Sequence, residues 1–384
     1  MKKITSGFKT GFVLFFLLIQ IGAKAQSDSV LVGNIYRSYI IHLPSGYNPA
    51  QQYPVVLNLH GIFSNAAQQE ALTEFNTIAD SSQFIVVYPN AVAGSWNVSG
   101  AATSPNDSVF IATLLDTLTT RYSVDPCRIY ATGFSQGGFM CYVLACMFAD
   151  RLAAVAVVSG NMFDATVAVC NPSNSIPIMH IHGTADPIVL YWGIIGLESW
   201  VPGTVYWWAQ QNNCNLNSVN VQLPNPVLSD SSDVQMVYYA PGPDSSEVIF
   251  LQVNNGGHTW PGASILLPFG FTNQDFEASN SIWNFFNSYQ LRSCASTQIN
   301  EVNTVQNDCV IYPNPFSLQT TIEFSTEQRN TSIKIIDVLG KEIKSITFTG
   351  KQFVLHRDEL PAGVFFLQIS NELNEVTYKK IIAE

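Results

Sequence analysis

Gly133-Phe134-Ser135-Gln136-Gly137 sets a serine between two glycines, after a strand-like segment and before a helix-like one. A nucleophilic serine needs that context. A sharp strand-to-helix turn holds it in a strained conformation, and the flanking glycines let the turn crowd its neighbours. Its hydroxyl then projects at a helix N-terminus, where partial positive charge favours a developing oxyanion. Near neutral pH the hydroxyl needs a base, and the base needs an orienting acid. Asp186 follows the apolar run Pro177–Ile181, and His258 sits in the glycine-rich Asn255-Gly256-Gly257-His258-Thr259-Trp260-Pro261-Gly262 after the strand-like Glu247–Val253. Taken singly, Asp186 reads equally well as a turn cap before Pro187 and His258 as a loop histidine. Their order along the chain, serine then acid then histidine, is what joins Ser135, Asp186 and His258 into one expected catalytic set.

Acyl transfer also needs two backbone donors for the oxyanion, one after the nucleophile and one from an early loop. Gln136 supplies the first position and Ile62, in His60-Gly61-Ile62, the second; His60 itself reads as structural. Trp96 and Trp260 lie in loops that such an arrangement brings near the serine, so they are expected to bind substrate, whereas Trp207 and Trp208 read as packing residues. Tyr191 and Trp192 follow Asp186 closely enough to line an exit. His180 and His182 alternate on an apolar strand, a spacing able to bind a metal, but no third ligand accompanies them. Neither a metal nor a cofactor is expected.

These residues must be held by regular elements. Pro54–His60, Phe84–Tyr88, Arg128–Phe134, Leu152–Ser159 and Pro177–His182 are short apolar runs without clean alternation, as in strands buried on both faces of a parallel sheet. Ala66–Ala79, Asp107–Arg121 and Gln136–Phe148 have the length and spacing of helices. The alternation predicts an α/β fold, a mostly parallel sheet flanked by helices, with connecting loops at the carboxyl edge. Ser293–Asp308 is polar and reads as a linker. Beyond it, Thr321–Phe324, Ser332–Val338, Glu342–Thr349, Val364–Ile369 and Val376–Ile382 predict a small all-β sandwich.

The first residues read as an export signal. Lys2, Lys3 and Lys9 precede the apolar Phe12–Ile21, and Ala23-Lys24-Ala25 places cleavage before Gln26. The expected organisation is therefore a signal peptide over 1–25, a body over 26–292, a linker over 293–308 and a β-domain over 309–384. With 17 Lys+Arg against 28 Asp+Glu the net charge is −11, which disfavours nucleic acid as a partner. No apolar run reaches the length of a transmembrane helix, so none is expected after signal removal. Export favours disulfides among Cys127, Cys141, Cys146, Cys170, Cys214 and Cys294, with connectivity open and Cys309 left over.

Two resemblances sharpen these expectations. Residues 30–290 resemble the secreted α/β-hydrolase family that groups polyhydroxybutyrate depolymerases with feruloyl esterases. The matching pieces include Tyr88-Pro89-Asn90, Gly94-Ser95-Trp96-Asn97, Asp107 with Val109-Phe110-Ile111, Val124-Asp125, and the loop bearing His258. The resemblance implies cofactor-free ester hydrolysis through an acyl-serine. Two departures stand out: Gln136 where many relatives carry Asn, and the bulky His60-Gly61-Ile62-Phe63, which leaves the acyl pocket's shape open. The tail resembles the sorting domain of the type IX secretion system through Tyr312-Pro313-Asn314-Pro315-Phe316, Asp337-Val338-Leu339-Gly340, Leu360-Pro361-Ala362-Gly363-Val364-Phe365 and Lys379-Lys380-Ile381. It implies that secretion machinery as a partner and a secreted or cell-surface location. The expected substrate is a plant-wall feruloyl or acetyl ester or a polyester. An acetylxylan esterase or serine peptidase on the same fold, and a noncatalytic surface-binding protein, are the competing readings.

Overall fold

A computed structural model describes residues 25–98, 106–242, 246–291, 294, 309–337, 342–361, 363–371 and 376–383. The export signal lies outside the described residues, as does most of the expected linker.

The body runs β1 (Gln26–Val32), β2 (Ile35–His42), β3 (Tyr53–Leu59), α1 (Ala66–Thr73), α2 (Phe75–Ser82), β4 (Ile85–Pro89), α3 (Asp107–Arg121), β5 (Val124–Phe134) and α4 (Gln136–Met147). It continues through β6 (Ala154–Val158), α5 (Asp164–Val169), β7 (Ile178–Gly183), α6 (Val201–Gln211), β8 (Val219–Gln222), β9 (Asp233–Tyr239), β10 (Val248–Asn254) and α7 (Ala278–Phe286). These strands form one sheet in the order β1-β2-β4-β3-β5-β6-β7-β10-β9-β8. The middle, from β4 to β10, is parallel, and antiparallel pairs finish both edges. Every residue of β3, β4, β6 and β7 is buried, because helices cover both faces. Two apolar clusters, one on each face, hold the layers together.

The expected single helix over Ala66–Ala79 is corrected to two. Glu74 takes a left-handed conformation (φ 50°), which ends α1 and starts α2. The edge strands β1, β2, β8 and β9 escaped the sequence reading; β8 and β9 are largely exposed or alternate in burial, so they carry no continuous apolar run.

Two disulfides are present, Cys127–Cys294 and Cys146–Cys170. Cys141 and Cys214 are buried thiols.

The C-terminal region is a five-stranded antiparallel sheet of β11 (Cys309–Tyr312), β12 (Gln319–Asp337), β13 (Glu342–His356), β14 (Gly363–Ser370) and β15 (Val376–Ala383). As far as Asp337, with Val338 lying outside the described residues, the runs expected as separate strands at Thr321–Phe324 and Ser332–Val338 fall on the single β12. Its register shifts between Glu323 and Thr331, so its first half pairs with β11 and its second with β14. The sheet thereby curls around one core that takes Ile322 and Phe324 from one half and Ile333 and Ile335 from the other. The outer residues Val364, Phe366 and Ile382 join an apolar cluster of the body, and Lys380 Nζ contacts the fully buried carboxylate of Glu247.

Candidate active site

Four of the five consecutive strands β3-β5-β6-β7-β10 end where chemistry is expected. Ser135 follows β5, the loop through Ile62 follows β3, Asp186 follows β7 and His258 follows β10. Ser135 caps α4 with φ 55° and ψ −120°, a strained conformation for a residue with a side chain. The strain is enforced by close packing. A Cβ on Gly137 would lie 2.2 Å from the Leu59 carbonyl oxygen, so only glycine lets α4 begin against the end of β3. Gln136 is the first residue of that helix, where backbone N–H groups have no intrahelical acceptor.

The acid and the histidine are tied by their loops before their side chains meet. Thr184 N–H donates to the Val253 carbonyl and Ala185 N–H to that of Gly256, both at 2.9 Å. A Cβ on Gly183 would lie 2.2 Å from the Gly256 carbonyl oxygen, so the two loops touch backbone to backbone there. Within this frame His258 Nδ1–H donates to Asp186 Oδ2 at 2.8 Å. Asp186 Oδ1 accepts the Ile188 and Val189 N–H groups at 2.8 and 2.9 Å. Three donors on a buried carboxylate fix its direction.

Ser135 and His258 line one cavity of about 590 Å³, within the range of small-molecule sites. Its other walls are Gly61–Ser64, residues of α1 including Gln68, Gln69 and Leu72, Phe134, Ile188, and a loop contributing Ile265, Leu267 and Phe269. Among the described residues no Asp, Glu, Lys or Arg lines it. Ile62, Phe63, Ile188, Ile265 and Phe269 also stand exposed at its rim, Phe63 at 85%.

The two tryptophans expected to bind substrate are placed elsewhere. Trp96 is buried, its ring against His60 and its Nε1–H donating to the His60 carbonyl at 2.8 Å. Trp260 is buried against Phe75 and Phe134, with Nε1–H donating to Ser279 Oγ at 3.0 Å. Neither lines the cavity; Trp260 stands behind Phe134, whose ring packs on His258. Both indoles lie in loops beside the site, and the need to bury a large ring and satisfy its N–H drew them inward. Tyr191 is buried and Trp192 exposed, its ring stacked on Trp200.

The walls from α1 and residues 265–269 were not found from the sequence. The apolar run Ile265-Leu266-Leu267, outside any regular element, was the available signal. Also missed was the Gln136 side chain, which accepts the Trp96 N–H at 2.9 Å and donates to Ser95 Oγ at 3.2 Å, tying the 95–96 loop to the start of α4. His60 packs as expected: Nδ1–H donates to the Gly61 carbonyl and Nε2 accepts the Ala91 N–H, while burial pushes its pKa below the usual imidazole range. Among the described residues no cluster of three metal-ligating side chains occurs.

Part of this chain is similar to known esterases. Residues 37–219 match the family described as esterase PHB depolymerase, a span that includes Ser135 and Asp186 and stops short of His258. The bifunctional acetylxylan esterase/xylanase XynS20E of Neocallimastix patriciarum is 34% identical over 159 residues, 41% of this chain and 22% of that protein. The putative esterase NocK of Nocardia uniformis subsp. tsuyamanensis is 28% identical over 277 residues, covering 63% and 76%. Feruloyl esterase B of Piromyces equi is 31% identical over 194 residues, covering 46% and 36%. The chain thus spans well under half of two of these relatives. Residues 310–384 match the secretion system C-terminal sorting domain. Residues 37–219 of the chain are thus similar to the esterase PHB depolymerase family, and residues 310–384 to a secretion-system sorting domain.

Proposed function

We propose that the protein is a secreted serine carboxylic-ester hydrolase whose nucleophile, base and acid are Ser135, His258 and Asp186. The observation that carries this reading is the shared cavity of Ser135 and His258, with Asp186 fixed behind the histidine. In the first half-reaction Ser135 Oγ attacks the ester carbonyl carbon and passes its proton to His258 Nε2. The carbonyl π electrons move to oxygen, where the N–H groups of Ile62 and Gln136 stabilise the charge. Collapse breaks the bond to the alcohol, which leaves with the proton from His258. Water then repeats the sequence on the acyl-serine and frees the acid.

The cavity favours a bulky, uncharged acyl group over acetyl. It is far larger than an acetyl group, and an anionic or cationic acyl chain would lose hydration there without a partner. A feruloyl-type ring fits that description, in keeping with the feruloyl esterase relatives; a polyester unit remains the alternative acyl group. The body is taken as 26–292 and the linker as 293–308. The C-terminal domain, taken as 309–384, supports export by type IX secretion, with that machinery as partner and the cell surface or medium as destination.

The test compares hydrolysis of methyl ferulate, 3-hydroxybutyrate oligomers and an acetyl ester by the chain lacking residues 1–25, with Ser135→Ala as blank. Preference for ferulate or the oligomer supports the bulky-acyl reading and chooses between its two forms. Preference for acetyl removes that reading, and no hydrolysis above the blank removes the esterase.

A further inference from the structure

Beside Asp186 lies a row of buried polar side chains that ester hydrolysis by the three residues does not use. Tyr142, on α4, and His180 and His182, alternate residues of β7 that share a face of the sheet, are all fully buried. Tyr142 Oη is 2.5 Å from His180 Nδ1, His180 Nε2 is 3.3 Å from His182 Nδ1, and His182 Nε2 is 2.9 Å from the Val189 carbonyl.

The proton positions follow from donor chemistry. A carbonyl only accepts, so His182 Nε2 carries a proton. Burial holds both rings neutral, pushing each pKa below the usual imidazole range. His182 Nδ1 is then a bare lone pair and His180 Nε2 must donate to it. That leaves His180 Nδ1 as the acceptor for the Tyr142 hydroxyl. In the reverse direction the Tyr142 proton would have no acceptor, since among the described residues that hydroxyl has no other hydrogen-bond partner. The chain runs one way.

Its end reaches the acid. His182 Nε2 is 3.5 Å from Asp186 Oδ2, the oxygen that accepts His258, and its proton goes to the carbonyl of Val189, whose N–H in turn holds Asp186 Oδ1. We propose that Tyr142, His180 and His182 form a directed hydrogen-bond chain that locks His182 as the Nε2–H tautomer, making His182 the positioning residue of Asp186. The locked ring clamps the 186–189 turn and presents the positive end of a neutral N–H to the carboxylate. Any other tautomer would turn a lone pair toward Val189 O and Asp186. The remaining groups around the chain bring no further charge: Tyr191 faces His182, Phe250 meets His180 edge-on and Trp208 stacks on Tyr142, so Asp186 and His258 are the ionisable groups that His182 acts upon.

This inference rests on the serine-esterase reading only for its kinetic consequence, so the experiment has two arms. Long-range proton–nitrogen spectra of the full exported chain report the tautomers directly, whether or not an ester is cleaved. The expected result is two neutral Nε2–H rings for His180 and His182 across about pH 5.5 to 8; an Nδ1–H or cationic ring at either position overturns the proposal. In the kinetic arm, His182→Leu is expected to lower kcat about tenfold or more with KM little changed. It should also move the acid limb of kcat/KM upward, because Asp186 then holds the proton on His258 more tightly. His182→Gln keeps an N–H toward Val189 and should recover most of the loss. Tyr142→Phe, which keeps the ring, should lower kcat by about threefold through loss of the tautomer lock. A folded His182→Leu protein with wild-type kcat and acid limb overturns the proposal, as does a Gln variant as impaired as Leu. If the Leu variant does not fold, wild-type kcat in Tyr142→Phe does so instead. Absence of ester hydrolysis by the wild type counts against the esterase reading alone, and the spectra still decide the chain.

Discussion

His258 Nδ1 lies 2.8 Å from one oxygen of Asp186 while the other oxygen is occupied by the N–H groups of Ile188 and Val189, so the carboxylate has one direction in which to act. On the proposed function, Ser135→Ala and His258→Ala should each lower turnover by about 10⁴-fold or more, since the members act as a unit. Asp186→Asn should cost a similar factor of roughly 10⁴ by turning an amide N–H toward His258 and inverting its tautomer. Circular dichroism should show the fold unchanged. Wild-type hydrolysis in any of the three purified variants would mean the residues are misassigned.

The backbone contact behind this geometry makes a separate prediction. Gly183→Ala would set a Cβ 2.2 Å from the Gly256 carbonyl oxygen, a position no flexible side chain can vacate. The His258 loop must move away from the end of β7. Activity should fall by about 10²-fold, because a displacement of about 1 Å is enough to misalign reacting groups. The turnover loss should accompany a lower unfolding midpoint. A variant as active as wild type would show that the two loops slide freely.

Such contacts mark the limit of what the sequence discloses. The parallel strands were legible because burial on both faces writes continuous apolar runs. Ser135 was legible because its strained turn needs glycines at fixed offsets. Trp96 and Trp260 were misjudged because sequence places a residue in a loop without saying which way the ring points, and both rings found buried acceptors for their N–H groups. The cavity walls from α1 and the 265–269 loop depend on tertiary packing that no local period encodes. The break at Glu74 likewise carries no glycine or proline to announce it.

Arg37 and Asp107 form a buried pair at 2.6 Å, with Asp107 also accepting the Asn97 N–H and the guanidinium lying 4.0 Å from the Phe110 ring centre. They fasten β2 to the start of α3. Arg37→Met leaves the carboxylate buried without its cation, which should cost about 3–5 kcal/mol of stability. Replacing both residues by apolar ones should recover much of that loss. Urea unfolding of the two variants checks it; equal midpoints for single and wild-type proteins would show that water reaches Asp107.

Acid should destabilise the protein well above the carboxylate range. Burial holds His60, His180 and His182 below the usual imidazole pKa of 6.5. Above that value both folded and unfolded states carry them neutral, and stability does not depend on them. As pH falls below 6.5 the unfolded chain binds protons that the folded one refuses, so stability declines by up to about 1.4 kcal/mol per histidine per pH unit. The unfolding free energy should therefore fall between roughly pH 6.5 and 5, before Asp28 and Asp80, whose pKa values lie below normal, begin to protonate. A flat profile in that window would mean that these rings take up protons in place.

The C-terminal domain should stabilise the body without touching its chemistry. Lys380 meets Glu247, whose carbonyl accepts the Ile178 N–H where β7 begins, at the amino ends of the parallel strands. Ser135, Asp186 and His258 lie at the carboxyl ends, about 20 Å away along strands of this length. Effects over that distance are nearly independent, so removing residues 309–384 should leave kcat/KM within about twofold. Stability should respond differently. Glu247 is fully buried, held by the hydroxyls of Tyr238 and Tyr289 and by Lys380 Nζ, whose pKa burial lowers to about 7. Lys380→Met keeps the cover in place while removing the cation, which should weaken docking by about 3–5 kcal/mol and let the two sheets unfold in separate transitions. Truncation admits water to Glu247 and should therefore destabilise the body less than the buried charge alone would suggest. If Lys380→Met unfolds in one transition that superimposes on wild type, the ion pair does not hold the two regions together, and the apolar contacts of Val364, Phe366 and Ile382 carry the docking by themselves.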